Sequence, residues 1–143
     1  MRKFVALIGI AALGIAAAPI QDRQEGKVPN GARDMMLSLG AGMKGKALEA
    51  AIAKAEAFPL GSADNPVREN GPGGEEAYLR KLRCADGTAP SFARAGSVGA
   101  GPYRFIVDLY KVTCPGKAAA DVYIDMYHDG PETRPVAGFT IRN

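Results

Sequence analysis

The spacing of hydrophobic positions divides the chain into segments of different character. From Phe4 to Ile20 the residues are almost continuously apolar, behind Arg2 and Lys3, and alanines stand at positions 16–18. A charged start, an apolar stretch and a small-residue end mark an export signal. At about 17 residues the stretch is short for a bilayer span. Residues 1–18 are therefore expected to be a signal peptide, cleaved between Ala17 and Pro19. Residues 19–31 are polar and hold Pro29 and Gly31, which predicts a disordered leader. A single domain over 32–143 is expected to follow.

Helical spacing comes first in that domain. Met35, Met36 and Leu39 predict a short helix over 32–39, loosened by Gly40, Gly42 and Gly45. Leu48, Ala51, Ile52 and Ala55 recur at helical intervals over 46–57, and Pro59 and Gly61 stop the run. Residues 61–74, GSADNPVRENGPGG, are turn-forming throughout. Over 75–83, EEAYLRKLR sets Glu75 and Glu76 at the start and Arg80, Lys81 and Arg83 at the end, as a helix dipole favours. Tyr78, Leu82 and Cys84 also share strand parity, so a strand is the alternative there.

From Ser91 onward the period shortens to two. Strands are predicted near 91–97, 103–113, 121–128 and 136–142, separated by turn signals at 99–102, 115–117 and 129–132. Helices first and strands after predict an α+β fold: N-terminal helices on a small antiparallel sheet of about four strands. Phe105, Val107 and Leu109 share one strand face, and Val122, Ile124 and Met126 share one face of the next. Assigning both sets to the core fixes the register. With Gly116 and Lys117 as turn residues, Asp108 then stands opposite Asp125, and Tyr110 opposite Tyr123.

Charge and cysteine content refine this picture. The chain carries 18 basic and 15 acidic residues, and loss of Arg2 and Lys3 with the signal leaves it nearly neutral. That gives no argument for nucleic acid or an acidic membrane. Cys84 and Cys114 are the two cysteines, and export permits a disulfide between them. The chain-entropy gain for a loop of that length is about 3–4 kcal/mol. No second apolar run is long enough to span a membrane, so no membrane span is expected after cleavage.

The strings NPVREN, GEEAYLRKLRC followed by DG, GSVGAGPY, DLYKVTC and YIDMYH resemble a set of small exported bacterial proteins of no assigned activity. The resemblance covers about 62–143. It implies a periplasmic or secreted location and one compact domain. It carries no catalytic residues.

Candidate chemistry gathers on one predicted strand face. Asp108, Tyr110, Asp125 and Tyr127 are the candidate ligand-binding residues, the tyrosines stacking and the carboxylates accepting hydrogen bonds. Opposed carboxylates need compensation, from Arg80, Arg94, Arg104 or Arg134, from a cation, or from a proton shared between them. His128 is the single histidine, which excludes a multi-histidine zinc site. It is read as a rim or turn residue. No GxSxG surrounds a serine, and Ser97 sits in a glycine-rich turn. No catalytic residue, metal or cofactor is assigned.

The expectation is a small exported binding or interaction module without catalysis, with a protein or small-molecule partner in the cell envelope. One alternative is an envelope glycan hydrolase using Asp108 and Asp125, whose facing positions would give a retaining spacing. The other is a secreted protein inhibitor or effector.

Overall fold

The computed structural model describes residues 29–142. The expected signal peptide and residues 19–28 of the leader lie outside the described residues. In chain order the elements are α1 (Gly31–Ser38), α2 (Gly45–Ala55), β1 (Val67–Arg68), α3 (Gly71–Lys81), β2 (Leu82–Arg83), β3 (Ser91–Ala100), β4 (Ile106–Thr113), β5 (Ala120–Asp125) and β6 (Thr140–Ile141). The fold is α+β, with one disulfide between Cys84 and Cys114, whose Cα atoms are 5.8 Å apart. Among the described residues no helix is long and apolar enough to cross a membrane.

The end of the expected leader is ordered. Asn30 is buried. Its side-chain oxygen accepts from the Arg33 amide at 3.0 Å and caps α1. Its Nδ2 donates to the carbonyls of Met126 at 2.8 Å and His128 at 3.2 Å. These long-range bonds pin residue 30 to the far end of the domain, a role that its polar neighbours in sequence do not reveal.

The sheet also departs from expectation. It is mixed, in the order β1-β5-β4-β3, with β1 parallel to β5 and the other neighbours antiparallel. The last strand does not join it: β6 pairs with β2 in a separate two-stranded ladder. The helices are not all N-terminal, because α3 follows β1. It begins at Gly71 and takes in GPGG, with Pro72 in the first turn, where its missing N–H costs nothing. The strand alternative for 75–83 survives only in Leu82 and Arg83. Residues 101–105 form a turn before β4, with the Gly101 amide donating to the Phe105 carbonyl at 2.8 Å and Arg104 at φ 63°.

The central hairpin pairs Asp108 with Ile124 and Tyr110 with Val122. The expected pairing of Asp108 with Asp125 and Tyr110 with Tyr123 does not form. The turn is built on Pro115 and Gly116, closed by the Lys117 amide on the Cys114 carbonyl at 3.1 Å. Gly116 has φ 69°, the positive value that the third position of a type II turn requires after proline. An odd number of residues then separates Val112 from Ala120, and a shift of one residue exchanges the two faces of a strand.

Two hydrophobic clusters form the core. Tyr110, Val112, Val122 and Ile124 join Val67 and pack with Tyr78, Leu79 and Leu82 of α3 and β2. A second cluster holds Tyr103, Phe105, Tyr127 and Ala55, with Leu48 and Ile52 of α2 and Met36 and Leu37 of α1 against it. Thus α3 packs on one face of the sheet, while α1 and α2 pack on the segments just before β4 and just after β5.

Candidate functional site

The new register separates the four candidate residues. Paired residues point to the same face of a sheet, so Asp108 and Tyr110 share the face of Ile124 and Val122. Asp125, next to Ile124, belongs to the other face, level with Arg68 of β1. The facing carboxylate pair expected for glycan hydrolysis is absent.

Asp108 meets Arg94 and Ser97 of the neighbouring strand. Arg94 Nε donates to Asp108 Oδ2 at 2.6 Å, and Arg94 Nη2 to Oδ1 at 2.8 Å. The Ser97 hydroxyl donates to Oδ1 at 2.8 Å. Burial opposes ionisation of Asp108, and these donors overcome it, holding its carboxyl below the usual range. Of the four arginines named as compensation, Arg94 is the one that serves. It lies across one β-ladder, so its proximity follows from the pairing of β3 with β4.

Tyr110 points at a carboxyl absent from the predicted site. Its hydroxyl donates to Glu75 Oε2 on α3 at 3.0 Å. Glu75 is buried, and its Oε1 has no hydrogen-bond partner among the described residues. Burial pushes its pKa up to about 7; the Tyr110 hydrogen bond works against this and the Asp108 charge with it. Burial, followed by the charge of Glu75, raises the Tyr110 phenol well above its ordinary value.

Asp125 is fully buried at the end of β5. Its Oδ1 accepts the Tyr127 amide at 3.0 Å, a side-chain turn that ends the strand. Its Oδ2 lies 3.2 Å from His128 Nε2. The angle falls short of a hydrogen bond, so both atoms are buried without a full partner. Tyr127 stacks on Phe105 at 5.3 Å between ring centroids. Burial, then the nearby Asp108 and Asp125, raises its phenol pKa.

His128 stands in the bend that follows β5, as the turn reading expects, but it is buried and not at the rim. Its ring is 6 % exposed and held edge-on between Tyr103 at 5.0 Å and Phe105 at 5.8 Å. It lines a cavity of about 370 Å³ between α1, α2 and the 128–132 segment. Arg33 and Asp129 pair at one part of that cavity. Arg68 lies 3.6 Å from Glu132 at another, and also donates to the Tyr103 hydroxyl at 2.9 Å and to Glu56 at 2.9 Å. Leu48 and Ile52 supply an apolar wall. Arg134 and Arg68 bring the Glu56 carboxyl down to about 2, and Arg134 holds Glu132 below the usual range against the effect of burial.

The 128–132 segment is fastened from below. The His128 amide donates to the Glu69 carbonyl at 3.1 Å, and the Glu132 amide to Glu69 Oε1 at 2.9 Å. Gly130 lies so close to residues 69 and 70 that a Cβ there would come within 2.9 Å of the Asn70 amide nitrogen. The cavity wall is therefore preorganised.

The arrangement offers charge of both signs, an apolar wall and one imidazole backed by a buried carboxylate. No Ser, Thr, Cys or Tyr is among the residues that line the cavity, so none of them offers a hydroxyl or thiol nucleophile beside His128. Among the described residues no group of three or more His, Cys, Asp or Glu side chains is placed to hold a metal ion. The Asp125–His128 pair was open to sequence reading as an i, i+3 spacing, but strand alternation put the two residues on opposite faces. Only the turn at Asp125 brings them together. No family model, curated protein or solved structure matches the chain.

Proposed function

We propose that the protein is a small exported binding module, periplasmic or secreted, that seats a small polar ligand against His128. The observation that supports this is a buried imidazole lining a cavity between two ion pairs, with its Nε2 facing Asp125. A preorganised concave site with few, well-placed polar groups is the usual form of a ligand pocket. Arg33 and Arg68 suit a carboxylate, Asp129 and Glu132 suit an ammonium group, and Leu48 and Ile52 suit an aliphatic portion. Together they favour a ligand of free amino-acid type.

The test is an NMR titration of the oxidised domain with amino acids, simple amines, monocarboxylates and sugars. The expected result is a saturable shift of the His128 ring resonances by amino acids, lost in Arg33→Met. A panel in which no amino acid moves His128, or in which Arg33→Met responds like the parent chain, would overturn the reading.

A further inference from the structure

A second concave site lies at the disulfide. It is a cleft of about 360 Å³ that shares no lining residue with the His128 cavity. Its wall is formed by the Cys84–Cys114 bridge, with Val112 and Phe139 alongside. Val112 is buried and Phe139 half-buried, both belonging to the core packed under α3. Apolar core side chains that also border a cleft are where a ligand gains most from leaving water.

The charges at the cleft are Asp86 and Lys117. They are not equivalent. Asp86 Oδ1 is engaged by the amide of Thr88 at 2.9 Å and by its hydroxyl at 2.7 Å. Those hydrogen bonds already hold its carboxyl below the usual range. The Lys117 ammonium makes no ion pair among the described residues, while its backbone is fixed by the turn amide on Cys114. The cleft therefore combines an apolar interior with two charges at its edge: the Asp86 carboxylate, one oxygen of which already holds Thr88, and the Lys117 ammonium, which has no ion-pair partner among the described residues.

We propose that this cleft binds a free, low-molecular-weight apolar monocarboxylate, its ring or short chain against Val112, Phe139 and the disulfide, and its carboxylate on Lys117. The ring portion gains from burial. The carboxylate sets the choice among ligands of the same shape, because Lys117 is free to pair while Asp86 is already engaged by Thr88.

Three probes with one body separate these contributions: naphthoate, naphthylmethanol and naphthylmethylamine, titrated into the full oxidised domain and followed by NMR. Naphthoate should bind best and shift the Phe139 and Lys117 resonances. In Lys117→Met, which keeps the apolar stem, naphthoate should bind about fivefold more weakly, the scale of an exposed ion pair, with the alcohol unchanged. Ala118→Trp, at an exposed lining position, should abolish binding of both while leaving the melting temperature near that of the parent. N-acetylglycylphenylalanine carries a similar acid at the end of a chain, and should bind no better than naphthoate.

Absence of a saturable shift with naphthoate would overturn the proposal. So would preference for the amine, an unchanged naphthoate affinity in Lys117→Met, or tighter binding of the peptide, which would reassign the cleft to a polypeptide terminus. None of these outcomes bears on the His128 cavity.

Discussion

Glu75 is a carboxyl in a place where ionisation is costly. The side chain is 1 % exposed, one oxygen holds Tyr110 and the other has no hydrogen-bond partner among the described residues. It takes up its proton at about pH 7 in the folded chain, against 4.5 for the free group. The folded state therefore binds more protons than the unfolded state across that window, and this group's contribution to stability falls as pH rises through it. A shift of that size corresponds to about 3 kcal/mol. Glu69, also raised by burial, acts in the same sense. Glu56, Asp108 and Glu132, with lowered pKa values, act in the opposite sense: they stabilise above the ordinary carboxylate range, and that stability is lost as pH falls through their folded values. The difference between Glu75→Gln and the parent isolates Glu75. Unfolding free energies from urea titrations should converge near about pH 4 and separate by about 3 kcal/mol above about pH 8, the variant being more stable. A pH-independent difference would contradict this account. In the sequence, Glu75 reads as an ordinary helix-start acid. Its partner Tyr110 lies far along the chain, on β4, so local pattern could not reveal their meeting. His128 was hidden in the same way, by partners that only the packed molecule supplies.

The elements meet through a few close approaches. The segment joining α1 to α2 passes over Phe105, where Gly42 has φ 83° and its amide donates to the Arg104 carbonyl at 2.9 Å. A Cβ there would stand 2.0 Å from Phe105 Cε1. Gly42→Ala should therefore destabilise by about 2–4 kcal/mol, combining a positive φ with a displaced core ring. The check is chemical denaturation beside Gly40→Ala, where φ is also positive but nothing lies within 4 Å. Equal losses in the two variants would remove Phe105 from the explanation. Element types were largely legible: α1, α2, the helix around 75–81 and the three long strands all stand near their predicted positions. Faces were not. β4 carries buried residues on both sides, Val107 on one and Tyr110 and Val112 on the other. Alternation therefore gave no unique inward face. The choice fell to the turn at Pro115 and Gly116, whose geometry shifts the register by one. That shift also dissolved the Asp108–Asp125 pairing. β1 escaped notice because it has only two residues, too few to carry a period, and the strand expected over 136–142 is cut down to Thr140–Ile141.

At the scale of the whole molecule the disulfide is the main constraint on the unfolded chain. Its cysteines are 30 positions apart, for which loop-closure entropy gives about 3–4 kcal/mol. The double variant Cys84→Ala with Cys114→Ala should lose stability of that order in urea. A loss below about 1 kcal/mol would mean that the unfolded chain is already compact around these residues. The pairing was legible from the cysteine count, and the structure contains it. The bridge also alters the distances over which the chain must search as it folds. β1 finds β5, and β2 finds β6, across more than fifty intervening positions, pairings of the long-range kind that slow folding. Once Cys84 and Cys114 are joined, the covalent route from Val67 to Ile124 shortens to roughly half its length along the backbone, which lowers the closure entropy that their pairing must overcome. Oxidation is therefore a kinetic event as much as a stabilising one: it turns a distant parallel pairing into a nearby one.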